Sequence, residues 1–409
     1  ARALVNKGAE QAKLEEFSNA AESFREALDF YRSEAIANSI KASLGQLVQP
    51  TSPSFWLEFN MFVKNAWYVA GMSVECTDKP LARTFLNEKV VLFRTAAGTA
   101  VALEDRCCHR FAPLSLGDVE SHGIRCRYHG MVFDDNGQCV EIPGQAQIPP
   151  GMCVRSFPLV ERHNLLWIWM GDPVNANPDE IVDVHWNGAP GWPTATGYIH
   201  YQANYQLIAD NLLDFTHLTF VHRTTLANNA FPNARPEITP FERGIRLNRV
   251  IHNCDPSPLH GMAGKFEGKV DFWNRQVWWL PSIFENWAGS VPLGEGEPHE
   301  REGALHLRHF SLLTPETDQT THYFWLQPCQ FPHDDASMID RVGQGIATAF
   351  AEDRWVIEAQ QTVINSQPDA KMKSVRNDAA LGRVRYMTER LLEQEAAVSA
   401  QTIAIAKAD

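Results

Sequence analysis

Apolar positions follow two distinct rhythms along the chain. Over residues 1–49 they recur every three or four positions, at Leu14, Phe17, Ala20, Phe24, Ala27 and Tyr31, with Glu, Lys and Arg between them. That spacing predicts an amphipathic helical pair. Gly8, Ala20, Phe24 and Ala27 fit the spacing of a tetratricopeptide repeat, but Gln11 and Arg32 depart from it, and one repeat cannot bury its own face. Gln49–Ser54, with two prolines, reads as a linker. From 62 to about 172 the rhythm changes to short apolar runs such as Val90–Phe93 and Val101–Leu103. Turn residues at Ala97-Gly98, Asp135–Gly137 and Pro143-Gly144 separate them, and Leu165–Met170 closes the region. A loop rich in Asn, Pro and Asp runs to about 195. Beyond it, helical signals at 206–222, 336–366 and 378–398 flank strand-like runs at 236–254, 265–280, 304–313 and 322–331.

The expected fold class is therefore α+β: an all-β domain, then an antiparallel sheet with helices against it, preceded by a helical N-terminal extension. The expected divisions are 1–60, 61–172 and 173–409. The functional core is expected to begin near Met61, immediately before a strand-like run, and residues 1–60 to be dispensable.

Composition narrows the classes. The chain has 409 residues, enough for two or three domains, with 44% hydrophobic and 21% charged residues, ordinary globular usage. Forty-nine acids against 36 bases give a net charge of −13, so nothing draws the chain generally toward nucleic acid or an anionic membrane. No apolar run approaches the roughly 18–20 residues of a spanning helix, and no basic-then-apolar leader is visible; a cytoplasmic location is expected. Eight cysteines are too sparse for a disulfide scaffold. Three of them cluster with histidines between residues 107 and 129, which reads as a metal site.

The cluster is Cys107-Cys108-His109, then sixteen residues, then Cys126-Arg127-Tyr128-His129. Each loop carries one Cys and one His. Such a set can bind zinc as Cys2His2, or a [2Fe–2S] cluster with two Cys on one iron and two His on the other. The mixed loops favour the cluster, since zinc sites usually pair like with like. Adjacent side chains point apart, so both cannot easily serve one iron; the C-x-H spacing selects Cys107 and leaves Cys108 as a small buried hydrophobe.

A second constellation lies in Asp210-Asn211-Leu212-Leu213-Asp214-Phe215-Thr216-His217-Leu218-Thr219-Phe220-Val221-His222. His217 and His222 are too far round an ideal helix to share a face, but slight unwinding would bring both to one metal. Asp210, Asp214 and His217 would share a face of an unbroken helix, and Asp214 would accept the free N–H of His217. Two histidines and one carboxylate with open positions mark non-haem Fe(II) oxygen chemistry. Glu352, Asp353 and Glu358 offer the carboxylate from the C-terminal helical segment.

Together these residues resemble the catalytic component of Rieske mononuclear-iron oxygenases, over roughly 61–390. Cys107–Ser115 resembles the family's first cluster loop, with Cys108 where Pro is usual, and Cys126–Gly130 resembles the second. Asp210-x3-Asp214-x2-His217-x4-His222 matches the mononuclear-iron motif, and Phe350-x2-Asp353 followed by Gln360-Gln361 is similar to the segment supplying the carboxylate. The resemblance implies a [2Fe–2S] cluster on Cys107, His109, Cys126 and His129, and Fe(II) on His217, His222 and Asp353. It puts Asn211 close to the metal and gives Asp214 the coupling of that iron to a neighbouring subunit's cluster in a homotrimer. NADH electrons would arrive through a separate flavin and iron–sulfur reductase, because no G-x-G-x-x-G fingerprint is present. Within the family, the chain resembles the phthalate, vanillate and toluenesulfonate branch. The implied substrate is an aromatic acid, acted on with O2. Ring dioxygenation leading to cleavage of a carboxylated diaryl ether, of phenoxybenzoate type, is the first expectation; methyl hydroxylation or O-demethylation of an aryl sulfonate or methoxybenzoate is the alternative. Arg246, Arg275 and Arg308 are candidate partners for the substrate anion. Trp273, Trp278, Trp279, Phe284 and Trp287 are candidate pocket walls, of which strand alternation turns only some inward. A Rieske electron carrier or a zinc-stabilised interaction protein are the competing readings, distinguished by iron and labile sulfide against colourless zinc.

Overall fold

The structure is a computed structural model that describes residues 62–223, 225–226 and 234–406, with side chains to residue 398. The helical extension and linker expected over residues 1–60 lie outside the described residues.

The first part is all-β, as the short apolar runs predict. Its strands are β1 (Trp67–Met72), β2 (Leu81–Phe85), β3 (Glu88–Arg94), β4 (Ala100–Glu104), β5 (Asp118–Glu120), β6 (Gly123–Arg125), β7 (Val132–Phe133), β8 (Cys139–Glu141), β9 (Leu159–Arg162) and β10 (Leu165–Trp169). They form three antiparallel sheets, ordered β1-β10-β9, β2-β3-β4 and β5-β6-β7-β8. The smallest strands lie where the turn residues crowd. Between β7 and β8, Asn136-Gly137 turns the chain, with Gly137 at φ 78°, and a Cβ there would meet the Val154 carbonyl oxygen at 2.3 Å.

β10 is buried along its whole length because both its faces are used. Leu166 and Ile168 pack with Phe62, Tyr68 and Phe85 inside the first part. Leu165, Trp167 and Trp169 pack on Phe310, Phe324 and Leu326 of the second part.

The second part comprises β11 (Thr194–Tyr201), α1 (Tyr205–Leu213), α2 (Leu218–Val221), β12 (Glu237–Phe241), β13 (Gly244–Cys254), α3 (Pro258–Gly264), β14 (Val270–Trp279), β15 (Ile283–Pro292), β16 (Leu305–Pro315), β17 (Thr321–Gln330), α4 (Met338–Ser366) and α5 (Ala379–Ala406). Seven strands make one antiparallel sheet, β11-β17-β16-β15-β14-β13-β12. The mixed α+β class is the one expected. The apolar rhythm does not mark β11, β15 or α3: β11 begins Thr194-Ala195-Thr196-Gly197 with no large apolar residue, Glu285-Asn286-Trp287 interrupts the apolar run of β15, and α3 is a single short helix opened by the Ser257 cap and Pro258.

One face of the large sheet carries Ile245, Leu247, Trp278, Phe284, Leu307, Tyr323 and Trp325 against α1 and α4. α4 buries Val342, Ile346, Ala349, Phe350, Asp353 and Ile357, an every-three-or-four stripe facing that sheet. A carboxylate thus sits in an otherwise apolar stripe, where it needs partners. Among the described residues, no helix is long and apolar enough to cross a membrane.

Candidate metal centres and active site

Two loops, one between β4 and β5 and one between β6 and β7, share one backbone design. In the first, the Cys107 amide donates to the Ala112 carbonyl (2.9 Å) and Phe111 N to the Cys107 carbonyl (3.0 Å). In the second, Cys126 N donates to the Met131 carbonyl (2.7 Å) and Gly130 N to the Cys126 carbonyl (3.0 Å). The residue four after each cysteine is left-handed, Phe111 at φ 60° and Gly130 at φ 73°. Arg125 holds the second loop by donating to the Gly130 carbonyl (2.6 Å) while paired with Glu120 and Glu141. Asp105 holds the first by accepting from the Ser115 amide and hydroxyl, both at 2.7 Å.

These loops bury both cysteines and expose both histidines. The His109 and His129 rings lie 4.6 Å apart between centroids. Burial, with Cys126 beside it, pushes the Cys107 thiol up to about 11, and a bound cation would supply the charge that ionises it. Sulfur lies with sulfur inside and imidazole with imidazole outside. That fits two irons with different ligand pairs better than one tetrahedral ion. Cys108, between the first two ligand candidates, packs half-buried against the core that includes Cys107 and Cys126.

Among the described residues, one group of three brings its potential ligand atoms within 4.8 Å of one another: His217, His222 and Asp353. The unwinding foreseen for the segment occurs at Asp214. α1 stops at Leu213, Asp214 is extended (φ −121°, ψ 97°), a 3-10 turn spans Phe215–His217, and α2 follows. The break removes the single face predicted for Asp210, Asp214 and His217. Asp210 turns away to pair with Arg385 of α5. The Asp214 carboxylate caps the 3-10 turn by accepting from Thr216 N at 2.9 Å, and the Asp214 main-chain carbonyl, not the carboxylate, accepts from His217 Nδ1 at 2.6 Å.

Asp353 Oδ1 lies 3.1 Å from His222 Nε2 and 3.6 Å from His217 Nε2, and accepts from Asn211 Nδ2 at 3.0 Å. His222 Nδ1 donates to Glu352 Oε2 at 2.8 Å. Both rings therefore use Nδ1 outward and turn Nε2 to the common point. Burial, partly offset by Asp353, lowers the His217 pKa; at His222 burial is outweighed by Asp353 and Glu352, and the pKa is raised. Glu358 pairs instead with Arg354 and the Gln202 amide, so of the three helix acids only Asp353 faces both Nε2 atoms.

The triad opens into a cavity of about 110 Å³. Helical residues, including Leu212, Phe215, Leu218, Ile346 and Phe350, form one side. The sheet contributes Phe272, Phe284 and Leu307, with polar groups from Asn274, Asn286, His309 and Gln327, and α3 adds His260. Burial holds both His260 and His309 down to about 4, so both are neutral. These polar residues come one each from five separate elements, and no local spacing announces them.

The three candidate arginines do not line this cavity. They occupy the opposite face of the sheet, because residues one apart on a strand point to opposite sides. Arg308 pairs with Glu285 (3.2 Å) and stacks on Trp186 and Trp287; Arg275 stacks on Trp287 and Arg246 on Phe241. Of the aromatic candidates, Phe284 lines the cavity and Trp278 packs on the same face. Trp273, Trp279 and Trp287 alternate to the other face.

Comparison with known proteins identifies two domains along the chain. The Rieske [2Fe-2S] domain model matches residues 66–158, and the vanillate O-demethylase oxygenase C-terminal domain model matches residues 201–394. The chain is 47% identical to a toluene-4-sulfonate monooxygenase system iron-sulfur subunit of Comamonas testosteroni, over 82% of this chain and 98% of that one. It is 33% identical to the vanillate O-demethylase oxygenase subunit of a Pseudomonas species, over 83% and 98%. A crystal structure of dicamba monooxygenase with non-heme iron and dicamba superposes with a TM-score of 0.72 at 35% identity, covering 83% of this chain and 99% of that one.

Proposed function

The chain belongs to the Rieske non-haem iron oxygenases with a vanillate O-demethylase-type catalytic domain, and from that premise we propose that it oxidises a methyl or O-methyl group on a one-ring aromatic acid or sulfonate. It is a terminal oxygenase component with one Rieske cluster and one mononuclear iron, and it works with a reductase. In this reading Cys107, His109, Cys126 and His129 hold the cluster, and His217, His222 and Asp353 hold the iron, within domains spanning 61–172 and 173–409. Bound there, the two centres supply stored electrons and O2 activation beside the substrate.

The observation that carries the substrate reading is the match of residues 201–394 to the vanillate O-demethylase oxygenase C-terminal domain. The cavity beside the triad, about 110 Å³ with mainly apolar walls, is compatible with an aromatic ring. On that match the first expectation, ring dioxygenation and ether cleavage of phenoxybenzoate type, gives way to the alternative. The relatives point the same way, being named as a toluene-4-sulfonate monooxygenase, a vanillate O-demethylase and a dicamba monooxygenase.

The chain's own residues bind and orient. Apolar walls exclude water from the ring. The substrate's acid group meets neutral side chains rather than a guanidinium: the Asn286 amide and the uncharged His260, with His309 and Gln327 bonded to each other in the wall behind them. Asn274 Oδ1 is buried with no protein hydrogen bond, an acceptor suited to a polar substituent or an ordered water. Asn211 steadies the inner carboxylate of Asp353.

A homotrimer is part of the same proposal. Exposed Phe111 and Tyr128 surround the histidines of the first centre, and exposed Phe220 and Trp355 lie on the helices that carry the second. Joining these two surfaces between copies would cover both and bring Asp214 toward a neighbouring cluster.

Product analysis tests the reading. The protein, a compatible reductase, NADH and O2 are incubated with methoxybenzoates, methyl-substituted aryl sulfonates and phenoxybenzoates. Formaldehyde with a phenol, or a hydroxymethyl product, is expected. A phenol from the diaryl ether alone would overturn it.

A further inference from the structure

The sequence offered Glu352 only as a rival ligand to Asp353. Its position gives it a different task. Glu352 and Asp353 are consecutive on α4, yet both reach the His222 ring from opposite sides. Asp353 Oδ1 stands 3.1 Å from Nε2, and Glu352 Oε2 accepts from Nδ1 at 2.8 Å. The same Oε2 accepts from Thr225 Oγ1 at 3.1 Å, so the carboxylate is itself oriented. His222 is 1% exposed and the Glu352 side chain 30%. The anchor thus approaches from outside the cavity, beside Phe220 and Trp355, and cannot occupy an inner coordination position.

The other histidine is held differently. His217 gives its Nδ1 hydrogen to a neutral main-chain carbonyl. A carboxylate partner strengthens an imidazole donor more than a carbonyl does, because the charge stabilises positive character on the ring.

We propose that Glu352 is a positioning residue for the mononuclear iron: it fixes His222 as the Nδ1–H tautomer, turns Nε2 to the metal, and raises the affinity of the site for Fe(II). This rests on the ligand set proposed above. Glu352 touches neither substrate nor the reacting atoms.

The test is Fe(II) binding to full-length protein stripped of mononuclear iron, followed by titration and by the rate of iron loss to a chelator. The visible Rieske spectrum reports the integrity of the rest of the chain. Glu352→Gln keeps an acceptor for Nδ1–H and loses the charge, so affinity is expected to fall about tenfold. Glu352→Leu loses both, and a fall of about 100-fold is expected, within the usual range for such partners. The melting temperature of the iron-stripped protein separates positioning from simple stability. Positioning predicts that the Gln variant melts like wild type without iron and gains less on adding it. Wild-type Fe(II) affinity in Glu352→Gln and Glu352→Leu, or an equal loss of stability with and without iron, would overturn the proposal. If the Leu variant does not fold, the Gln variant decides. Asp353→Ala serves as the separate control: retention of iron there means that the ligand set itself is wrong, whatever Glu352 does.

Discussion

His217 Nδ1 donates to the main-chain carbonyl of Asp214 across 2.6 Å, and the carboxylate of the same residue caps the turn that follows. One residue therefore serves two local purposes through two different groups. The carbonyl orients the ring, and the carboxylate terminates α1 and starts the 3-10 turn by satisfying an otherwise orphan N–H. The His217–His222 pairing depends on this break, since an unbroken helix would set residues five apart on different sides.

Asp214→Asn separates those purposes from charge. Asn caps about as well as Asp, and the carbonyl bond is unchanged, so mononuclear iron, the Rieske spectrum and the melting temperature should stay near wild type. If the carboxylate couples the two metals between subunits, product formation should fall by roughly 10–100-fold or more. Single turnover decides: the cluster is pre-reduced, substrate and O2 are added, and reoxidation and product are followed. Wild-type reoxidation with full product yield would exclude the coupling role. Asp214→Ala should in addition lose about 1 kcal/mol of stability with the cap.

Cys107 and Cys108 are neighbours with opposite environments, one buried against Cys126 and the other at the edge of the same core. Cys107→Ser should abolish the visible Rieske spectrum. Cys108→Ser should preserve it and cost no more than about 1–2 kcal/mol for a half-buried hydroxyl. Iron, labile sulfide and absorbance per chain are the readouts, and loss of the spectrum in Cys108→Ser alone would exchange the two assignments.

How much of this was legible depended on where the determinants lie. Cys107, His109, Cys126 and His129 sit within 23 residues on two short loops, so spacing alone carried their chemistry. His217 and His222 stand out less by their own spacing than by the acids beside them and the Cys/His loops upstream. Asp353 lies more than a hundred residues away, and only family resemblance singled it out from Glu352 and Glu358. What remained hidden was strand parity. Arg275 and Asn274 are adjacent, yet Asn274 faces the cavity and Arg275 the opposite groove. Alternation says that they differ; only the packing of α1 and α4 on one side says which is inside. The polar lining suffered most, because His260, Asn286, His309 and Gln327 come from four separate elements.

Asp353 is 5% exposed and meets both Nε2 atoms and Asn211. Asp353→Ala removes the carboxylate and leaves two imidazoles, so the chain should lose one iron while retaining its two cluster irons and the Rieske spectrum. Asp353→Asn should bind Fe(II) weakly, because the neutral amide replaces an anionic ligand. Three irons per chain in Asp353→Ala would remove this residue from the site.

Acid should weaken the fold through the cavity's own histidines. His309 has both ring nitrogens engaged, Nδ1 with Gln327 Oε1 at 3.1 Å and Nε2 with Ser311 Oγ at 2.9 Å, and Ser311 in turn bonds Tyr323 at 2.8 Å. With Nδ1 donating to the amide oxygen, Nε2 accepts from Ser311, which suits only the neutral ring. His260 is likewise buried, with Nδ1 bonded to Ser290 Oγ at 2.8 Å. Burial holds both to about 4, against about 6.5 in an unfolded chain. The folded pKa is the lower one, so the unfolded state binds more protons between these values. Stability from both groups is then fully present above pH 6.5 and is lost as pH falls from 6.5 toward 4. The loss is on the order of 3 kcal/mol for each histidine at the acid end. Denaturant unfolding between pH 7.5 and 5 should show falling stability before most carboxylates protonate. His309→Gln, which cannot take up a proton, should start less stable at pH 7.5 but show a shallower slope, converging on wild type toward pH 5. An unchanged slope would mean that His309 titrates normally in the folded protein, and that the Ser311–Tyr323 chain does not hold it neutral.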